Sequence, residues 1–264
     1  MHVNTFDRYE VGESLIHHLD PRVKVVITVF FIISNVIFPD GAWLAFLLAW
    51  GFILLINGLA KLPLGYAFKR SFIALPFALA AITVIFTIPG QQLIAFSLGS
   101  WQLNITDAGL IRFFSIVIRS WLSIQMAILL TATTQFPDLM HALRHLHLPQ
   151  LLVAIISFMY RYLFVLADEA MRLLRAREAR SASRLGYKSG GTILWRARVA
   201  GNMVGQLFLR SYERSDRVYN AMVARGYTGH FLTLNAHTLT VNDWMIGGGS
   251  ATYLLILQVI ARLL

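Results

Sequence analysis

The sequence predicts an all-α integral membrane protein with about five transmembrane helices and a cytoplasmic module of long helices between spans 4 and 5. Three observations carry this. Of the 264 residues 57% are hydrophobic and only 14% are charged, where an ordinary soluble domain is about a quarter charged. The apolar residues gather into runs near 23–40, 42–60, 71–88, 109–134 and 243–264. Between the last two runs lies a long, basic stretch with helical periodicity. The chain therefore divides into an N-terminal membrane bundle (1–134), a cytoplasmic module (135–242) and a C-terminal transmembrane helix (243–264).

Composition also sets exclusions. The net charge is +10, and nucleic acid is the usual partner of a basic chain. A lipid-embedded chain needs basic residues for its topology anyway, so the lipid bilayer is expected as a partner and nucleic acid is not. The absence of cysteine removes disulfides, thiol catalysis and thiolate metal sites. Asp7, Glu10, Glu13 and Asp20 precede any apolar run, so no cleavable signal peptide is expected.

The first span follows Asp20-Pro21, a turn signal that also suits the first turn of a helix. Arg22 and Lys24 mark its inner edge, and Pro39-Asp40-Gly41 closes it. It is short for a span, so it must include its basic flank, whose stems can snorkel. The second span ends at Lys61, and Lys61, Lys69 and Arg70 form a basic connection. Pro76 lies in the third span, where a proline is tolerated and can kink the helix. Residues 89–108 hold no Lys or Arg and should face outward. The fourth span contains Arg112 and Arg119, seven residues apart and so on roughly one face. Arg119 is costly in lipid and should face the bundle or a neighbouring protein, in a structural pairing or a functional one.

Lys and Arg occupy the connections at 61–70 and 135–242 and are absent from 39–40 and 89–108. The positive-inside rule then puts the N-terminus in the cytoplasm and the C-terminus outside a multi-pass membrane protein. In the last span Gly247 and Ala251 are spaced for close helix packing. The run Gly247-Gly248-Gly249 is no phosphate loop, since no Gly-Lys-Ser/Thr follows it.

The cytoplasmic module opens with a short helix at 137–146 carrying His141 and His145, whose i, i+4 spacing can hold a metal. No acidic third ligand stands at zincin spacing, and a solvated or interfacial face is the expectation. From Pro149 the pattern is apolar to Leu166, with Arg161 inside, and then charged through Glu169, Arg177 and Arg180. A second helix runs from about Thr192 to Ala224. Each ends in a matching triplet, Ala179-Arg180-Ser181 and Ala224-Arg225-Gly226. Gly226 stands where a helix C-cap needs a left-handed residue. An arginine held there can bind a carboxylate bidentately, and small neighbours keep its shoulders narrow. One such arginine would be only a solvated residue favoured by the helix dipole, but the recurrence at two helix ends points to a docking role.

These features together resemble the transmembrane coupling (T) component of energy-coupling-factor (ECF) transporters, in particular the CbiQ family of the cobalt branch. The stretches that carry the likeness are Leu19-Asp20-Pro21-Arg22-Val23-Lys24, then Thr133-Thr134 with Pro137, Leu139, Ala142-Leu143, Leu146 and Leu148-Pro149. Arg161, Glu169, the Arg180 triplet and Ala221-Met222-Val223-Ala224-Arg225-Gly226-Tyr227 complete it. The first triplet departs from the usual pattern by having Ser181 where the family has glycine, which makes Arg177 a rival for its docking role.

The resemblance implies a chain with no catalytic residues and no cofactor or metal of its own, in a complex whose partner subunits use ATP. The triplets at Arg180 and Arg225 would dock on two ABC ATPase subunits, a homo- or heterodimer. The long helices would pass ATP-driven motion to a membrane substrate-binding subunit. Arg119, Arg161, Glu169 and Arg177 are candidate supporting or interface residues. Cobalt is the expected cargo, with a nickel or vitamin importer as the alternative. An integral-membrane enzyme would need a clustered acid–base or metal site, and His17, His18, Asp138, His141 and His145 show no recognisable arrangement. A self-standing carrier would show repeated halves with broken helices, which the odd number of spans argues against.

Overall fold

The computed structural model describes residues 9–10, 12–98, 101–180, 192–228 and 239–263. Its body is all helical. The elements run α1 (Leu15–His18), α2 (Pro21–Ile37), α3 (Trp43–Leu59), α4 (Leu64–Arg70), a 3-10 turn (Ser71–Ala74) and α5 (Leu75–Thr87). A two-stranded antiparallel hairpin follows, β1 (Gln92–Leu98) and β2 (Trp101–Thr106). Then come α6 (Asp107–Thr133), α7 (Phe136–His145), α8 (Gln150–Arg180), α9 (Ile193–Ala224) and α10 (Val241–Leu263). The chain divides into two compact units, Met1–Leu146 with His237–Leu264, and His147–Ala236.

Among the described residues, four helical stretches are long and apolar enough to cross a membrane: Gly65–Thr87, Asp107–Thr133, Gln150–Arg180 and Val241–Leu263. Trp43–Leu59 is apolar but shorter, and Pro21–Ile37 has 17 residues. The stretch Gln150–Arg180 meets the criterion through the apolar run at its start, within the segment that the sequence assigns to the cytoplasmic module.

The first unit has an apolar core but also exposes large apolar side chains. Val29, Ile33, Val36, Leu47 and Leu55 are exposed, and such a surface would be a liability in water. Buried alongside the large apolar side chains of Phe31, Ile53, Leu122 and Leu254 are small and polar residues: Ala45, Ala49, Ser34, Asn35, Ser115 and Gln125. Lipid gives no hydrophobic gain to burying leucine, so helices associate through close packing and hydrogen bonds. Phe31 stacks on Phe52, which stacks on Tyr253 at 5.2 Å. The Tyr253 hydroxyl donates to the Leu48 carbonyl at 3.0 Å, joining α10 to α3. A Cβ on Gly109 would meet the Ile85 carbonyl oxygen at 2.6 Å, so the close approach of α5 and α6 requires glycine there.

Pro76 acts at the 3-10 turn. A proline cannot donate to the carbonyl four residues back, and the Phe72 carbonyl instead accepts from Leu75 N–H. The proline thus falls at the start of α5, after a tightened turn. Residues 89–108 carry the β-hairpin, and Thr106 then caps α6 by accepting from Gly109 N–H at 3.1 Å.

At the start of α2 a buried polar knot joins three helices. Asp20 caps α2 by accepting from Arg22 N–H at 2.8 Å, with Pro21 in the first turn. The Asp20 N–H donates to Asp243 Oδ1 at 3.0 Å, and Asp243 Oδ2 accepts from the N–H and hydroxyl of Thr240. Lys24, only 7% exposed, donates from Nζ to the carbonyls of His17 and Thr133 at 3.0 and 3.1 Å. The Asp-Pro-Arg-Val-Lys stretch thereby fixes the ends of α2, α6 and α10 to one another. Gly247 packs against α2 as its spacing predicts: a Cβ there would touch Val23 Cγ1 at 3.2 Å.

Candidate coupling surface

The second unit is a pair of long helices, α8 and α9, of 31 and 32 residues, each about 47 Å at 1.5 Å per residue. Thr192 caps α9 by accepting from Trp195 N–H at 3.3 Å. Glu169 on α8 is ion-paired with Arg210 on α9. The Glu169 side chain is only 15% exposed, so this pair is partly shielded from water and fixes the two helices against each other. Among the residues of α8 and α9 singled out in the sequence, Glu169 is tied by an ion pair to a partner on the neighbouring long helix. That partner lies 41 residues away, beyond the reach of any local pattern.

The end of α9 is a complete Schellman motif. Gly226 has φ +82°, its N–H donates to the Val223 carbonyl at 3.0 Å, and Tyr227 N–H donates to the Met222 carbonyl at 3.0 Å. These bonds satisfy carbonyls that a helix end would otherwise leave open. A Cβ on Gly226 would meet nothing within 4 Å, so glycine is needed for its backbone conformation and not for space. Arg225 is the cap residue itself, with φ −91° and ψ 8°. Ala224, Arg225 and Gly226 are all exposed, and among the described residues no carboxylate pairs with Arg225.

Arg180 is the last residue of α8, and both it and Ala179 are exposed. Ser181 lies outside the described residues. Arg177, the rival, is half-buried and engaged in a contact of its own, whereas Arg180 forms no ion pair among the described residues. Arg161 is exposed on the apolar half of α8, flanked along the helix by exposed Met159 and Leu163.

Arg119 belongs to the first unit and is held there. Its Nη2 donates to the Phe38 carbonyl at 2.6 Å and to Asp40 Oδ1 at 2.8 Å. Asn35 Nδ2 donates to the Arg119 carbonyl and to Ser123 Oγ, both at 2.9 Å. Of the two readings open for Arg119, this is the structural pairing. Sequence reasoning passed over Asp40, which sits in a turn between two spans with nothing local to mark it as a partner.

The histidines of α7 sit close together without a third ligand. The His145 Nδ1 lies 3.1 Å from the His141 carbonyl and the ring centroids are 4.5 Å apart. Among the described residues no group of three or more His, Asp or Glu is placed to hold a metal ion.

Residues 12–234 match the family described as CbiQ, cobalt transport protein. An energy-coupling factor transporter transmembrane protein EcfT of Lactococcus lactis is 31% identical over 235 residues, covering 84% of each chain. The protein of the same name from Lacticaseibacillus paracasei is 29% identical over 92% of each chain. An uncharacterized protein of Methanocaldococcus jannaschii is 26% identical over 90% of this chain and 80% of its own. The chain belongs to the CbiQ family and is a transmembrane T component of the ECF transporter type, a non-catalytic subunit.

Proposed function

We propose that this chain couples two cytoplasmic ABC ATPase subunits to a membrane substrate-binding subunit in an importer for a transition-metal ion, cobalt foremost. The observation that carries this reading is the end of α9. There a fully satisfied C-cap presents exposed Arg225 between alanine and glycine, with no acidic partner among the described residues. A guanidinium fixed in this way reaches a carboxylate groove with little further loss of freedom. Arg180, exposed at the end of α8, supplies the second contact, and Ser181 keeps its neighbour small. The Glu169–Arg210 pair makes α8 and α9 move together, so motion received at the helix ends is passed along both.

The orientation that fits has residues 135–242 and the N-terminus in the cytoplasm and the C-terminus outside, because Lys and Arg concentrate on that side of the connections. This chain binds no cofactor in this scheme; ATP is used by the partners. The family's description favours cobalt as cargo. The relatives' name states no substrate, which leaves a second reading in which the same coupling role serves a nickel or vitamin importer.

The test is purification of the chain from membranes that also contain candidate ABC ATPases, comparing wild type with the Arg180→Glu/Arg225→Glu double variant, followed by ATP-driven uptake of cobalt. The reading predicts that wild type retains an ATPase pair and supports uptake and that the double variant does neither. If wild type retains no ATPase, coupling is refuted. Uptake of another substrate in place of cobalt would move the cargo to the second reading.

A further inference from the structure

At the other end of α2 from the Lys24 knot lies a basic cluster that the coupling reading leaves unused. Arg112, Ser115 and Arg119 recur along one face of α6 and meet the α2–α3 turn. Both oxygens of Asp40 are engaged, Oδ1 with Arg119 at 2.8 Å and Oδ2 with Arg112 at 3.7 Å. Ser115 Oγ accepts from Gly41 N–H at 3.1 Å, and Gly41 takes φ +85° to complete the turn. The turn is therefore rigid, and its single carboxylate is already neutralised.

The same turn lines an open cavity of about 500 Å³ whose wall includes Pro39, Asp40, Trp43, Ala261 and Arg262. That volume falls within the range of small-molecule sites. Arg262, in the last turn of α10, is exposed and forms no ion pair among the described residues. Arg262 lines the same cavity as Asp40, whose charge is already matched by Arg119 and Arg112, so the site holds an excess of positive charge. The helices that meet here are apolar, and exposed Val36, Ile37, Leu44 and Leu47 lie beside the turn. Trp43 is 48% exposed, and tryptophan is enriched at the membrane–water boundary. This is a positively charged site opening directly onto a surface that suits acyl chains.

We propose that this cavity binds the phosphate headgroup of an anionic phospholipid, with Arg262 as the principal contact and the Arg112–Asp40–Arg119 cluster holding its floor. Arginine suits the task because its planar fork matches phosphate and stays charged. The inference stands apart from the coupling role and survives its failure.

Native mass spectrometry of the full chain, supplied with phosphatidylglycerol or phosphatidylcholine, tests it. Wild type should retain phosphatidylglycerol in preference, and Arg262→Gln should lower that retention about fivefold. Arg262→Lys should keep most of it, and Lys69→Gln, on α4, should change nothing. Equal retention of the two lipids, or equal losses in Arg262→Gln and Lys69→Gln, would overturn the proposal. So would displacement of the lipid by excess inorganic phosphate, which would make the cavity a site for soluble anions.

Discussion

Two cations of the first unit, Arg119 and Lys24, and two of the helical pair, Arg180 and Arg225, sit in opposite surroundings. Arg119 and Lys24 direct their donors inward, onto Asp40 and the Phe38 carbonyl in one case and two backbone carbonyls in the other. Arg180 and Arg225 sit exposed at helix ends and pair with no carboxylate among the described residues. The difference follows from solvent. In lipid a charge must be satisfied within the protein. At a helix end in water it is solvated and costs little, so it remains available to a partner. A basic residue in this chain therefore contributes to stability or to docking according to its surroundings, and the comparison can be attacked from both sides.

The largest stability effect is expected at Lys24. Lys24→Met keeps the stem's volume but strips donors from the His17 and Thr133 carbonyls and removes a cation from beside Asp20 and Asp243, costing about 3 kcal/mol. A thermal midpoint unchanged from wild type would show that the knot does not hold the three helices. Next comes Arg119→Met, which leaves Asp40 with Arg112 alone and should cost about 2 kcal/mol. Adding Asp40→Asn should recover part of that loss if the two side chains act as a pair, and a double-mutant cycle in detergent measures it.

Smaller again is Gly226→Ala. It forces an L-residue into a left-handed conformation, costing about 1 kcal/mol confined to the last turn of α9. Hydrogen exchange should quicken at Gly226 and Tyr227 amides and not in α8. The smallest effect concerns His17. Its Nε2–H donates to the Glu10 carbonyl at 3.1 Å and its Nδ1 accepts from Ser14 Oγ at 2.7 Å. Burial is the main reason its pKa lies below the ordinary histidine value, with Lys24 and His18 acting the same way against the opposing Glu10 bond. A lowered folded pKa means that the unfolded chain binds the proton more readily. The stabilisation is thus present above pH ~6.5 and is lost as pH falls through the folded value. An NMR titration placing His17 above the ordinary histidine range would contradict that sign.

What the sequence made legible was local. Asp20-Pro21, Thr192 and Gly226 mark helix ends because a cap is written within a few residues, and their structural roles follow the expected chemistry. The apolar runs near 71–88, 109–134 and 243–264 likewise coincide with helices long and apolar enough to cross a membrane. Pairings across the chain were not legible. Arg119 and Asp40 are 79 residues apart, and Asp20 and Asp243 are 223 apart, so no window contains both partners. Between these extremes lies the hairpin at 92–106. Gly99-Ser100 between two runs of mixed apolar residues has the composition of a two-residue hairpin loop, a local signal that the distribution of Lys and Arg does not carry. At the proposed coupling surface the arginines stand out through their triplets, whereas the difference in burial between Arg180 and Arg177 was not legible.

The most direct measurement is the amount of co-expressed ABC ATPase retained per mole of purified chain, taken with the thermal midpoint of each preparation, for Arg225→Glu beside Arg119→Met. The account predicts that Arg225→Glu loses at least tenfold in retention at an unchanged midpoint, as expected for reversing one charge at a carboxylate contact. Arg119→Met should lower the midpoint while the protein that remains folded retains ATPase as wild type does. If Arg225→Glu retains ATPase fully, or if both variants lose retention only in step with their stability, the division between inward and outward arginines is wrong.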